Sequence, residues 1–276
     1  MFEKMDEKDL TTQQRKLIDR LDRRLYRHEH ENRFLLKRSE DYRVIDDVFN
    51  IPTITVINEM INRSVLGYIK SPLASGKESK VYLALDKNRQ KFLAVKIYLT
   101  VSAEFKKRLQ YIAGDPRFSS IRRGSRNLIS IWAKKEFKSL QTAYQSGVNV
   151  PAPLKVRKNV LVMEFIGDDA GGIPCPILVN SNSITSNDYK EVITQVSNLY
   201  QNAQLVHADL SEYNIFKCAK GRIILFDFGS SVNIQQPNSR HFLTRDIANI
   251  NTFFGKRGVK VLALESAISK VTGEDN

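Results

Sequence analysis

His207-Ala208-Asp209-Leu210-Ser211-Glu212-Tyr213-Asn214, followed by Ile223-Ile224-Leu225-Phe226-Asp227-Phe228-Gly229, is the stretch on which the reading of this chain turns. An aspartate with an asparagine five residues on, in a polar loop after an apolar helix, suits a proton acceptor beside a metal-binding amide oxygen. The second run is an apolar strand ending in an acid and a glycine. A carboxylate there suits magnesium, which takes one or two carboxylates and completes its shell with water and phosphate oxygens. Taken singly, the first run equally fits an Asx-rich turn, and the second a plain strand end. His207 has no histidine or cysteine partner at ligand spacing and reads as a structural hydrogen-bonding residue.

Upstream lie three further features. In Leu93-Ala94-Val95-Lys96-Ile97 a lysine interrupts an apolar strand, and alternation places Ala94, Lys96 and Tyr98 on one face. A buried lysine needs an anionic partner, and Glu136 on the next helix, or a phosphate, can supply one; an exposed edge position is the alternative. Ser75-Gly76-Lys77-Glu78-Ser79-Lys80-Val81 is a small-residue turn between strands, either a plain hairpin or a place where amides and a lysine meet phosphate oxygens. It does not match the Walker pattern. The order of turn, strand lysine, helix glutamate, Asp/Asn loop and strand aspartate, with Asp227 18 residues after Asp209, is that of protein kinases.

Around these motifs the chain divides into a charged N-terminal extension (1–41), a small helical element (42–72) with Pro52 between two short helices, a strand-rich lobe (73–163) and a lobe from 164 to 276. Strands are expected over 75–85 and 91–99, joined by a polar turn, and over 160–166. Helices are expected over 131–145, 188–204 and 244–254. Residues 99–130 carry Gly114-Asp115-Pro116 and lack periodicity, which predicts a long loop.

With 42% hydrophobic residues the 276-residue chain can fill a core, which excludes global disorder. It contains no apolar run of the roughly 18 residues a membrane span needs, and Met1–Asp9 has neither a basic start nor an apolar stretch. A cytoplasmic protein without a membrane partner is expected. Cys175 and Cys218, in no ligand spacing, argue against a disulfide framework or structural zinc. The net charge is +13, and residues 104–138 hold ten basic and three acidic side chains, which suits either a polyanionic partner or a solvated basic face.

Jointly the motifs resemble a RIO-type atypical protein kinase, most like the Rio one subfamily. The resemblance rests on S-G-K-E-S-K-V-Y from Ser75, Y-I-A-G-D-P-R-F from Tyr111, W-A-K-K-E-F around Glu136, V-L-V-M-E-F-I-G from Val160 and L-V-H-A-D-L-S-E-Y-N from Leu205. It runs from about Tyr42 to Phe254; the chain departs from the subfamily in reading D-F-G at Asp227, and no A-P-E follows. It implies an α+β, two-lobed kinase-like fold that lacks the activation segment and late C-lobe helices, with an N-terminal helical extension. It also implies an ATP- and Mg2+-dependent serine/threonine kinase, with Mn2+ as an alternative ion, that phosphorylates a protein serine including its own. In that reading Lys96 holds ATP phosphates and pairs with Glu136. Ser75, Lys77, Glu78, Ser79 and Val81 line the nucleotide site, and Glu164 and Ile166 offer backbone contacts to adenine beside Met163. Asp209 is the proton acceptor, and Asn214 and Asp227 bind the metal. The family is tied to small ribosomal subunit maturation, so a ribosomal precursor or rRNA is the expected partner of the basic segment. Two rivals stay open: a small-molecule phosphotransferase of the aminoglycoside or choline kinase type, and an ATP-gated assembly factor that turns over ATP as an ATPase with little protein phosphorylation.

Overall fold

Side chains along five short strands point alternately to the two faces of one sheet, and that division positions everything that follows. The computed structural model describes residues 51–76, 78–88, 90–99, 128–168 and 170–274. Helix α1 (Ile51–Asn62) precedes strands β1 (Tyr68–Ser75), β2 (Ser79–Leu85) and β3 (Phe92–Tyr98); helix α2 (Leu128–Gln145) and strands β4 (Pro153–Arg157) and β5 (Val160–Glu164) complete the first lobe. The sheet runs β1-β2-β3-β5-β4 with antiparallel neighbours. Val95, Ile97, Val160 and Val162 pack beneath Val56, Ile57 and Met60 of α1, whereas Tyr98 and Leu161 face the larger core shared with α2 and the second lobe. Period-two alternation thus puts Lys96 and Tyr98 on the α2 side.

Pro52 is the second described residue of α1, and the stretch expected to form the first of the two short helices lies outside the described residues. The segment 42–72, expected to be helical, also contains the start of a strand, since β1 begins at Tyr68. Gly67, just before it, lies so close to the Asp86 carbonyl that no Cβ would fit. Asn159 ties α1 to the sheet by donating to Thr53 Oγ1 at 2.9 Å and to the Tyr98 carbonyl at 3.1 Å. The N-terminal extension, the basic segment 100–127 and Lys77 lie outside the described residues.

The second lobe is built on α3 (Ser186–Gln201), α4 (Ser239–Lys256) and α5 (Leu264–Thr272), with the small strands β6 (Leu205–Val206), β7 (Ile215–Lys217), β8 (Ile223–Leu225) and β9 (Val232–Asn233). Helix α3 starts at a capping box between Thr185 and Asp188 and buries the expected stripe of Tyr189, Val192, Ile193, Val196 and Leu199. Helix α4 begins at Ser239, five residues before the expected start, and α5 lies beyond Phe254, the expected end of the last helix. β6 pairs with β9 and β7 with β8, so both motif-bearing loops leave short two-stranded ladders.

One expectation from the cysteines is overturned: Cys175 and Cys218 form a disulfide, with Cα atoms 5.2 Å apart. The 43-residue separation hid it, because the pairing arises where the segment after β5 runs beside β7, with Lys217 N donating to the Pro176 carbonyl at 2.9 Å.

Candidate active site

Lys96 lies in the middle strand of the sheet, 6% exposed, and its ammonium group is held by three carboxylate oxygens. Glu136 Oε1 and Oε2 are 2.9 and 2.8 Å from Nζ, and Asp227 Oδ1 is 2.9 Å away. The Tyr98 hydroxyl donates to Glu136 Oε2. Burial alone would lower the lysine pKa, but Asp227 and Glu136 outweigh it and hold the group above its ordinary value. Burial pushes the Glu136 carboxyl up to about 7, against the pull of Lys96. The exposed-edge alternative for Lys96 is thereby excluded.

The strand register explains how the other expected residues gather around this cluster. Val81 lies opposite Lys96 and Ser79 opposite Tyr98 on β2, and Met163 of β5 lies opposite Ala94, so all share the face of Lys96. The turn at Ser75 closes with Gly76 N donating to the Ser79 carbonyl at 2.9 Å, and the Glu78 carbonyl accepts from Leu99 N at 2.9 Å. β5 ends at Glu164, whose carboxylate accepts from Ala152 N at 3.0 Å, and Cys175 N donates to the Ile166 carbonyl at 3.0 Å. The run Met163–Ile166 is therefore fixed where the chain crosses between lobes.

Asp209 projects outward between two buried neighbours, Ala208 and Leu210. Ala208 holds a left-handed φ of 63°, and the loop is latched from beneath by Asp246 of α4, which accepts from Ala208 N at 2.7 Å and Leu210 N at 3.0 Å. Arg245 donates to the Ala208 carbonyl and Asn249 to that of Leu210. Such a backbone costs about 1–3 kcal/mol and persists only where its surroundings enforce it. Asn214 donates its Nδ2 to the Asp209 carbonyl at 2.8 Å, and Phe226 N donates to the Asn214 carbonyl at 3.0 Å, which joins the Asp/Asn loop to the strand before Asp227. His207 donates through Nε2 to the Phe226 carbonyl at 2.9 Å and lies 4.8 Å from the Phe228 ring, the structural role expected for it. Its pKa is lowered chiefly by burial, so the ring is neutral.

The donor set fits a small hard cation. The Nδ2 bond turns the Asn214 Oδ1 away from Asp209, and Asp227, with a side chain 43% exposed, sits at a left-handed φ of 62° that swings it out of strand geometry. One carboxylate and one amide oxygen suffice for an ion that draws its other ligands from water and phosphate. Among the described residues no group of three or more His, Cys, Asp or Glu is placed to hold a metal.

Two supporting residues escaped the sequence reading, Lys135 and Asp246, and Tyr98, which it places on the face of Lys96, had no role assigned. Each left a trace. Trp132, Lys135 and Glu136 stand at i, i+3 and i+4 and so share a helix face, and Asp246 falls within the apolar stripe of α4 beside Ile247.

A sequence profile of the RIO domain family matches residues 80–267. The RIO-type serine/threonine-protein kinase Rio1 of Haloferax volcanii is 33% identical over 259 residues, covering 93% of this chain and 87% of that protein. The chain belongs to the RIO family. Its relatives include the human serine/threonine-protein kinase RIO1, 33% identical over 89% of this chain, and RIO3 of Caenorhabditis elegans, 35% identical over 80%. This chain covers only 44% and 43% of those two longer proteins. Among solved structures, the Rio2 kinase–ADP/Mg2+–phosphoaspartate complex of Chaetomium thermophilum superimposes with a TM-score of 0.57 at 20% identity, over 79% of this chain and 66% of that one. The fold is the two-lobed α+β arrangement of RIO kinases, and the chain is an atypical kinase of the RIO1 type.

Proposed function

We propose that this protein transfers the γ-phosphoryl group of ATP, with Mg2+, to a serine or threonine hydroxyl of a protein, its own chain included. The observation that carries the proposal is the junction at Lys96, where one ammonium group bridges Glu136 and Asp227 while Asp209 and Asn214 are tied to the strand leading to Asp227. In this reading Val81, Ala94 and Met163 receive the adenine ring, with main-chain contacts from Glu164 and Ile166. Ser75, Lys77, Glu78 and Ser79 border the phosphates. Lys96 offsets charge on the phosphate oxygens, and Asp209 orients the attacking hydroxyl and accepts its proton. Asn214 and Asp227 would hold Mg2+, which would supply further charge neutralisation at the phosphates, and Mn2+ is a second ion to try.

A second reading, ATP hydrolysis with phosphate passing through Asp227, is favoured by the exposure of that carboxylate and by the phosphoaspartate in the Rio2 structure. The basic character of the chain and its RIO1 membership support a small ribosomal subunit precursor or rRNA as partner, acting in the cytoplasm. Turnover of labelled ATP, with and without such precursors, tests these readings together. Labelled phosphoserine supports the kinase, free phosphate alone supports the ATPase, and no turnover under either condition overturns both.

A further inference from the structure

Lys135 is fully buried, on the helix turn that presents Glu136 to Lys96. Its ammonium group does not point into the cleft. It donates to the main-chain carbonyls of Gly229, at 2.9 Å, and of Ser231, at 2.5 Å, and it lies 5.2 Å from the centre of the Trp132 ring. Those carbonyls belong to the turn that begins one residue after Asp227. The turn is packed hard against the same helix: a Cβ at Gly229 would stand 3.1 Å from Trp132 Nε1 and 3.5 Å from both Glu136 Oε2 and Asp227 Oδ1. Consecutive residues of α2 therefore grip the Asp227 segment twice, once side chain to side chain through Glu136 and Lys96, and once side chain to main chain through Lys135.

The two grips differ in what they can control. The first includes Lys96, which in the function proposed above must also serve phosphate oxygens. The second involves no group used by the nucleotide. We infer that Lys135 is a positioning residue that fixes the backbone after Asp227, and thereby the metal-binding carboxylate, against α2. Asp227 needs such support because its own φ is left-handed, a conformation an aspartate keeps only when its flanks are held. Two charge-assisted bonds to buried carbonyls provide it directly.

This inference rests on the reading of Asp227 as a metal ligand, and the test separates the two. ADP affinity is measured calorimetrically with and without Mg2+ for the wild type, Lys135→Met and Lys135→Gln. Methionine keeps the length of the side chain without a donor, and glutamine restores a donor. The wild type should bind ADP at least about 10-fold more tightly with Mg2+. Lys135→Met should lose most of that gain while its Mg2+-free affinity stays within about twofold, and Lys135→Gln should lie between. A Met variant with a lower melting temperature but the full Mg2+ gain would make Lys135 a packing residue and overturn the inference, as would equal weakening in both conditions. Should the Met variant fail to fold, the Gln variant decides: an unreduced Mg2+ gain overturns the inference, and a reduced one with unchanged Mg2+-free affinity supports it. Absence of any Mg2+ gain in the wild type would overturn the metal assignment of Asp227 first, and this inference with it.

Discussion

Asp209 faces solvent because Ala208 and Leu210 do not: their main-chain N–H groups are both drawn to the carboxylate of Asp246, leaving the intervening side chain to point outward. That geometry suits a group that must meet an incoming hydroxyl. Asp209→Ala is expected to lower phosphoryl transfer by at least about 100-fold, the contribution of a positioned acid or base, with ATP affinity retained. Asp227→Ala should instead abolish the Mg2+-dependent part of nucleotide binding. Steady-state turnover and calorimetry on both variants check the pair, and full activity in the first would remove Asp209 from the mechanism. His207 carries a pH prediction. Its folded-state pKa is lowered by burial, and its Nδ1 is buried without a partner, so a second proton has nowhere favourable to sit. Above the unfolded value of about 6.5 both states are neutral and the contribution is intact. As pH falls through that value the unfolded chain takes up a proton that the folded one refuses, and stability declines by up to about 1.4 kcal/mol per pH unit. The difference in unfolding free energy between wild type and His207→Gln, followed from pH 7.5 to 5.5 by denaturant titration, should narrow accordingly; a constant difference would show that the ring protonates freely in the fold.

Helix α4 is the element on which the loop carrying Asp209 depends. Asp246 sits in its apolar stripe, and burial pushes its carboxyl up to about 7 against the pull of the Leu210 and Ala208 amides. Asp246→Ala removes an acceptor from two buried donors, each costing about 1–3 kcal/mol when left unpaired. Beyond that loss of stability, turnover should fall much more than nucleotide affinity, because the loop carrying Asp209 relaxes while the sheet face around Lys96 stays in place. Parallel falls in turnover and affinity would place Asp246 in the general packing of the lobe. Helix α2 acts in the same manner on the other side of the cleft, through the face shared by Trp132, Lys135 and Glu136. The i, i+3, i+4 spacing of that face is legible in the sequence, but its partner is not: a helix face shows that something is gripped, and only the packing shows that it is the turn after Asp227.

Across the whole molecule, the disulfide closes a loop that contains α3, Asp209 and Asn214. Cross-links spanning tens of residues typically stabilise by about 2–4 kcal/mol, chiefly by restricting the unfolded chain. Reduction, or the double change Cys175→Ser with Cys218→Ser, should therefore lower the melting temperature by several degrees while leaving ADP affinity nearly unchanged. Thiol titration of the unfolded protein reads the pairing directly, and two reactive thiols without reductant would count against it. The charge of +13 is the other whole-molecule property. Replacing Arg122, Arg123 and Arg126 by alanine is expected to weaken binding to rRNA or a small-subunit precursor and to flatten its log–log salt dependence by up to about 3 units. Basal ATP turnover should hold, and equal salt slopes in the two proteins would return these residues to ordinary surface charge.

The sequence by itself determined the residue types and order of the site, because strand alternation, helix spacing and loop chemistry are local and leave periodic marks. Ala94, Lys96 and Tyr98 fall on one face from period two alone, and Asp209, Asn214 and Asp227 announce themselves as polar residues at the ends of apolar runs. The start of β1 was hidden for an equally local reason: Tyr68 to Lys70 continues the apolar rhythm of the preceding helix, and only pairing with β2 makes it a strand. Tertiary structure decided what depends on long-range approach. Lys96 could have been an exposed edge lysine until Glu136 and Asp227, 40 and 131 residues away in sequence, closed on it. The bond between Cys175 and Cys218, and the hold of Asp246 and Lys135 on main-chain groups, have the same origin. A backbone carbonyl or amide is present at nearly every position and carries no signature in the sequence, so which of them a buried charge will reach is settled by packing.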